Sequence, residues 1–485
     1  KAHVQQGVTP YGETTLAPKA AGAVDVSLRS MPWRLDAPLE LVGMRGFPKE
    51  GAGTSYDLRR VYSFHIFFDR PTEPGGFSVS RISIWTGQDA AKTLSAADFL
   101  PFVDRYGQFA HDTWRGKVSC DADLQRARED EDKWLAAHRE SPIPGADRFG
   151  GWGTGPQLKA TGFFRTEKVD GKWWFVDPDG HLFFSHGVDC VSYGCGTGVT
   201  HREKYFAELP AKDDTEFGRF WKRITWPQAH GFYKEKSHLP YETFDFIRAN
   251  ARRKYGADWY AVTAKRAHER LHAWGLNTIA NWSDAGVYRL RQTPYTLGLG
   301  THDAPRLKDS TGWWGALPDP FAPEFETRLR AKARAAAAWM KDDPWCLGVF
   351  VDNELSWNKE PRMADVGERY FSVVSRVLKE ELPNHLYLGC RIAWGEPVIY
   401  RLAARYCDVV SVNIYATTPV RDLPEGSDDK PMIIGEFHFG ALDRGLFHTG
   451  LVPTRDQDDR AAHYRAYVES ALDHPRFIGT HWFQW

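Results

Sequence analysis

Hydrophobic residues alternate with polar ones in two early stretches. Val61–Phe68 (VYSFHIFF) puts Tyr62, Phe64, Ile66 and Phe68 on one face, and Phe77–Ile84 (FSVSRISI) alternates again after a PTEPGG turn. Period-two patterning with a turn between predicts strands, so residues 1–115 are read as an N-terminal β-sandwich. Residues 121–138 (DADLQRAREDEDKWLAAH) have a helical, heavily charged pattern that Pro142 and Pro144 bring to a stop. They are read as a connector over 116–150 whose charges form a solvated face.

From residue 151 the pattern changes. Asp170-Gly171 and Asp179-Gly180 are hairpin turn signals on either side of KWWFVDP. Eight apolar runs follow, mostly separated by helical stretches: HLFFSHGVDC, LNTIANW, YTLGLG, CLGVFVDNE, HLYLGCRI, DVVSVNIY, PMIIGEF and FIGTHWFQW. The helix over 257–274 repeats Ala264, Ala267, Leu271 and Trp274 at helical spacing and stops at Gly275. Alternation of this kind predicts a parallel sheet with right-handed crossovers, and eight repeats predict an α/β fold of the (β/α)8 TIM-barrel type over residues 151–485. An aromatic-rich stretch, 192–255, is too long for a simple connection. The chain stops at Trp485 without an eighth helix, so either the given chain is a fragment or other segments cover that face of the barrel.

Composition narrows the classes. With 485 residues and 42% hydrophobic residues, the chain can build more than one core. A formal net charge of -1 offers no electrostatic basis for a nucleic-acid or anionic-membrane partner. No apolar run reaches the length of a membrane span. The 6 cysteines show no CxxC spacing, so a disulfide framework is not expected. The 20 Trp are a surplus that suits flat stacking surfaces.

The fourth apolar run ends in Asp352, Asn353 and Glu354, and the seventh contains Glu436. In a barrel both glutamates would lie at the C-terminal mouth, where catalytic groups sit. Two acidic side chains at the ends of core strands are costly without a purpose. Retaining glycoside hydrolysis supplies one, since it needs two carboxyl groups about 5–5.5 Å apart. Glu354 would be the acid/base, with the Asn353 amide on the sugar's 2-hydroxyl. Glu436 would be the nucleophile, tuned by Tyr415. Further candidates for sugar contact at strand ends and loops are His186, Asp189, Asn281, Trp282, Trp313, Trp314, Trp357, Arg391, Asn413, His438 and Trp482, with His302, Asp303, Trp394, His481 and Trp485 nearby. The histidines lie on different strands without ligand spacing, so no metal or cofactor is expected.

The stretches DRYGQF, RFGGWGTGPQLKATGFFR, GKWWFVDPDGHLFFSHGVDCV, FVDNELSW, IIGEFHFGALDRGLFHTGL and GTHWFQW make the chain resemble glycoside hydrolase family 50, the β-agarases. The resemblance implies a carbohydrate-binding-module-like sandwich before a retaining barrel. It implies hydrolysis of β-1,4-galactosidic bonds in agarose, often from chain ends with release of neoagarobiose, by Glu354 as acid/base and Glu436 as nucleophile.

The substrate stays open between agarose, porphyran and β-carrageenan. Arg391, Arg421 and Arg444 are candidates for sulfate. A β-galactosidase acting on short sugars and a non-catalytic carbohydrate binder are the competing classes. The long loops argue against the first, and the presence of both glutamates against the second. A galactan polysaccharide or oligosaccharide is the expected partner, and the number of subunits is left open. A polymer substrate suits a secreted or periplasmic protein, and a chain that begins at Lys1 rather than Met fits a mature or trimmed form.

Overall fold

The eight apolar runs become eight parallel strands: β1 (Ser185–Val188), β2 (Thr278–Ile279), β3 (Tyr295–Leu299), β4 (Cys346–Val351), β5 (Leu386–Tyr387), β6 (Val410–Asn413), β7 (Met432–Phe437) and β8 (Phe477–Trp482). They hydrogen-bond in the order β5-β4-β3-β2-β1-β8-β7-β6. A parallel bridge between Ile392 and Val412 carries the pairing on from the chain after β5 to β6. This is the strand order of a TIM-like barrel. The computed structural model describes residues 33–35, 41–42, 76, 78–82, 92–138, 143–192, 194–228, 231–357, 362–420 and 429–485. The predicted strand Val61–Phe68 and Arg421 lie outside them. Of Phe77–Ile84 only residues 78–82 are described, as exposed chain without strand pairing.

Helices flank the strands: α1 (Asp121–Ala137), α2 (Phe246–Tyr255), α3 (Trp259–Ala273), α4 (Pro323–Met340), α5 (Met363–Glu381), α6 (Pro397–Tyr406) and α7 (Gln457–Asp473). Pro323 and Pro397 sit at helix starts, where a missing N–H costs nothing. The end of α3 is closed by Gly275 at φ 73°, with Leu276 N–H donating to Leu271 O. Between sheet and helices lies an apolar layer that includes Val349, Val351, Leu329, Phe371 and Val374.

The two turn signals fold as read. Asp170 and Gly171, both at positive φ, join the antiparallel strands 165–169 and 172–176, and the latter pairs with 182–183. The resulting hairpin sends Phe175 and Phe183 against Leu347, Ile433 and Ile478 from the early part of β4, β7 and β8, and against Leu388 just after β5. This plugs the N-terminal end of the barrel with side chains that each contribute about 2 kcal/mol on burial. The opposite end is left for chemistry.

Two expectations change. The charged helix α1 exposes most of its charges, as read, but it is also tied to its neighbours: Glu131 bonds Lys254, Tyr255 and Arg270 on α2 and α3. Burial works to raise the Glu131 carboxyl, yet the Arg270 and Lys254 bonds bring it down to about 2. The aromatics of 192–255 are also partly consumed by local cores. Phe220 is buried, Tyr233 stacks on Tyr241 at 4.0 Å, and the strands 197–198, 221–224 and 241–244 form a small antiparallel sheet.

The chain divides into two compact units. One comprises residues 1–114, 201–209 and 442–448, and the other 115–200, 210–441 and 449–485. The first has a described core of Leu41, Phe99, Phe102, Phe109 and Tyr205. The second holds the whole parallel sheet.

Candidate active site

Strand β4 is buried along its length and then turns sharply, with Asp352 at φ 61° and Glu354 at φ 50°. Non-glycine residues adopt this region only at a cost, which surrounding contacts must offset. Asp352 supplies them. Its carboxylate accepts from Thr301 N–H, the Thr301 hydroxyl and the Tyr370 hydroxyl at 2.6, 2.7 and 2.8 Å. Asp352 therefore anchors the turn that presents Asn353 and Glu354, a role that the sequence did not reveal.

Glu354 is 7% exposed. The Asn413 side-chain amide donates to its Oε1 at 2.9 Å, and the Trp314 indole N–H donates to its Oε2 at 3.0 Å. Glu436, on β7, is 5% exposed. It accepts from the Tyr415 hydroxyl at 2.5 Å and lies 3.1 Å from Arg391 Nη2. Burial raises the Glu354 carboxyl, and the charge of Glu436 raises it further, against the pull of Asn413 and Trp314. Burial and the same charge drive the Tyr415 hydroxyl well up, which keeps it a donor.

Arg391 joins the two glutamates. It is fully buried at φ 52°. It donates from Nε to Asn353 Oδ1 at 2.9 Å, from Nη2 to Asp189 Oδ2 at 3.0 Å and from Nη2 to Gly435 O at 2.7 Å. Asn413 Nδ2 also reaches Asn353 Oδ1, at 3.2 Å. The Trp282 ring covers the guanidinium at 4.6 Å and remains 40% exposed itself. Five strands thus meet in one network around this cation: Asp189 after β1, Asn353 after β4, Arg391 after β5 and Glu436 on β7, with Asn413 on β6 joined through Asn353. Burial pushes Asp189 up to about 7, with Arg391 opposing.

Several candidates fall elsewhere. His186 points out to the helices, bonding Gly275 O and the Tyr464 hydroxyl, because its neighbours Ser185 and Gly187 take the inward side of β1. Trp357 is fully buried, stacked on Phe371 at 5.6 Å. Trp482 packs on Phe437 and Tyr464 while its indole N–H donates to Gln484 O. Asn281 is buried and accepts from Thr296. Asp189 and Arg391 are enclosed and engaged with protein, so neither is a sugar or sulfate contact. Asp303 pairs with Lys332 on α4, and His481 faces inward to bond Ser185. His438 backs Tyr415 with ring centroids 4.8 Å apart, and its Nε2 accepts from Leu451 N–H. Among the aromatic candidates Trp282, Trp313, Trp314 and Trp394 face solvent.

Among the described residues one group has donors close enough for a metal ion: Asp147, Asp177 and His181. It lies in the hairpin region away from the glutamates. His181 Nδ1 and Asp147 Oδ2 already bond each other at 2.7 Å.

No family model matches the chain. It is 32% identical to "Beta-agarase B" and 29% identical to "Beta-agarase A", both from Vibrio sp. (strain JT0107). These matches cover 89% and 93% of this chain and 54% and 55% of those proteins. The chain thus spans about half the length of the curated relatives it matches. Among solved structures it resembles PfGH50B at 30% identity, with a TM-score of 0.71 over 80% of this chain and 69% of that one. An exo-beta-agarase superposes with the same TM-score at 28% identity, over 80% of this chain and 68% of that one.

Proposed function

We propose that this chain, which belongs to glycoside hydrolase family 50, the β-agarase family, is a retaining hydrolase of the β-1,4-galactosidic bonds of agarose or agaro-oligosaccharides. The observation that carries the reading is the pair Glu354 and Glu436 at the ends of β4 and β7, set in one hydrogen-bonded network with different surroundings. Glu354, raised by burial, is the group suited to hold a proton. Glu436, held by the Arg391 guanidinium and the Tyr415 hydroxyl, is the group suited to attack as nucleophile.

In the first step a Glu436 oxygen attacks the anomeric carbon while Glu354 gives its proton to the departing glycosidic oxygen. The galactosyl unit is left as an ester on Glu436. In the second step the Glu354 carboxylate takes a proton from water, the water oxygen attacks the same carbon, and Glu436 leaves as carboxylate. The Asn353 Oδ1 is taken by Arg391 and Asn413, which turns its amide N–H groups toward the sugar's 2-hydroxyl. Trp282, Trp313 and Trp314 offer apolar faces to sugar rings.

The length of segment 192–255 and the resemblance to an exo-beta-agarase support exo attack, and neoagarobiose as the product is what the family resemblance implies. Residues 1–115 would hold polymer as a carbohydrate-binding-module-like sandwich, and a secreted or periplasmic location fits such a substrate. Among the described residues no helix is long and apolar enough to cross a membrane.

A time course on agarose, porphyran and β-carrageenan tests this function. The expected result is one dominant disaccharide from agarose at the earliest points with little loss of viscosity. An early ladder of mixed oligosaccharides would overturn the exo assignment, and faster release from porphyran or β-carrageenan would overturn agarose.

A further inference from the structure

We propose that Trp314 is a positioning residue for the acid/base Glu354, holding its carboxyl through the indole N–H while its ring faces the leaving-group sugar. The proposal rests on the functional reading above. Trp314 lies in the long segment between β3 and α4, yet its Nε1 comes within 3.0 Å of Glu354 Oε2. The other oxygen is held by Asn413 at 2.9 Å. With a donor on each oxygen, the carboxyl plane is fixed rather than free to rotate. Asn413 belongs to a barrel strand, whereas Trp314 is 42% exposed and belongs to a loop. One anchor is therefore rigid and the other open to substrate.

The indole N–H donates and cannot accept. It stabilises the ionised carboxylate, opposing the burial that raises Glu354. Its location on the acid/base also fixes which sugar it meets. Glu354 protonates the glycosidic oxygen, so the unit nearest to Glu354's own partners is the one that departs. A ring stacked on Trp314 would be read at the moment the proton is delivered.

Trp314→Phe keeps an aromatic face and removes only the N–H. The expected result is a fall in kcat of about tenfold on agaro-oligosaccharides, the loss typical of one hydrogen bond to a charged group. The basic limb of the pH–rate profile should also move to higher pH, because the proton is retained longer. On an aryl glycoside with an acidic phenol leaving group the first step needs little proton donation, so glycosylation measured by the phenol burst should keep its rate. An unmoved basic limb with only a raised KM would overturn the proposal, leaving a stacking surface. An equal loss on both substrates would overturn it as well, since a general disturbance of the site has no leaving-group preference. Glu354→Gln separates failure of this idea from failure of the parent reading. If Glu354 is not the acid/base, that variant keeps its turnover whatever Trp314 does.

Discussion

Glu436→Gln should lower kcat on agaro-oligosaccharides by about 10⁴-fold or more while leaving the melting temperature within a few degrees. An amide has the shape of the carboxylate but cannot form the ester that divides the reaction in two. The site should tolerate it sterically, because the Tyr415 hydroxyl can still donate to the amide oxygen. Glu354→Gln should fall by a similar factor on sugar leaving groups, where a proton is needed, and by much less on an activated aryl glycoside. Azide should rescue Glu436→Gly on the activated substrate by entering the space of the missing carboxylate. The wild-type profile should lose activity at its basic limb as Glu354 gives up its proton, a limb carried upward by burial and by the charge of Glu436. Near-normal turnover of Glu436→Gln on a polymer would remove the nucleophile from the account.

Replacing Arg391 should damage both fold and chemistry. Arg391→Met leaves Asp189, 0% exposed, without its cation, and leaves Glu436 with the Tyr415 hydroxyl but no cation. Breaking a buried pair from one side typically costs about 3–5 kcal/mol, measurable by urea unfolding. The companion Asp189→Leu in the same chain removes the stranded carboxylate, so the double variant should recover most of the stability. Activity should stay low in both, because Glu436 and Asn353 have lost the group that holds them. Recovery of activity together with stability would mean that Arg391 serves only the fold.

Much of the barrel was legible because its strands are buried on both faces and read as continuous apolar runs. The two glutamates were legible because a charge ending such a run has few structural excuses. The direction of a residue was harder to read. In β1, Ser185 and His186 are both polar, and only the closed sheet decides that Ser185 faces inward and His186 outward. Trp357 looked like a sugar platform beside Glu354, but the turn at Asp352 swings it under α5 onto Phe371. The Arg391–Asp189 pair joins residues 202 positions apart in the chain, which no local pattern announces. Arg391 therefore read as a possible sulfate ligand when its donors are spent on the protein. Aromatic density in 192–255 could not distinguish a wall for substrate from a small core such as Tyr233 on Tyr241.

The anomeric configuration of the first product tests the two-glutamate account most directly. Proton NMR of agaro-oligosaccharide cleavage, followed from the first minutes before mutarotation, should show the β anomer accumulating first and the α anomer appearing later by equilibration. An initial α anomer would mean a single displacement by water, and Glu436 could not then be the group that carries the sugar.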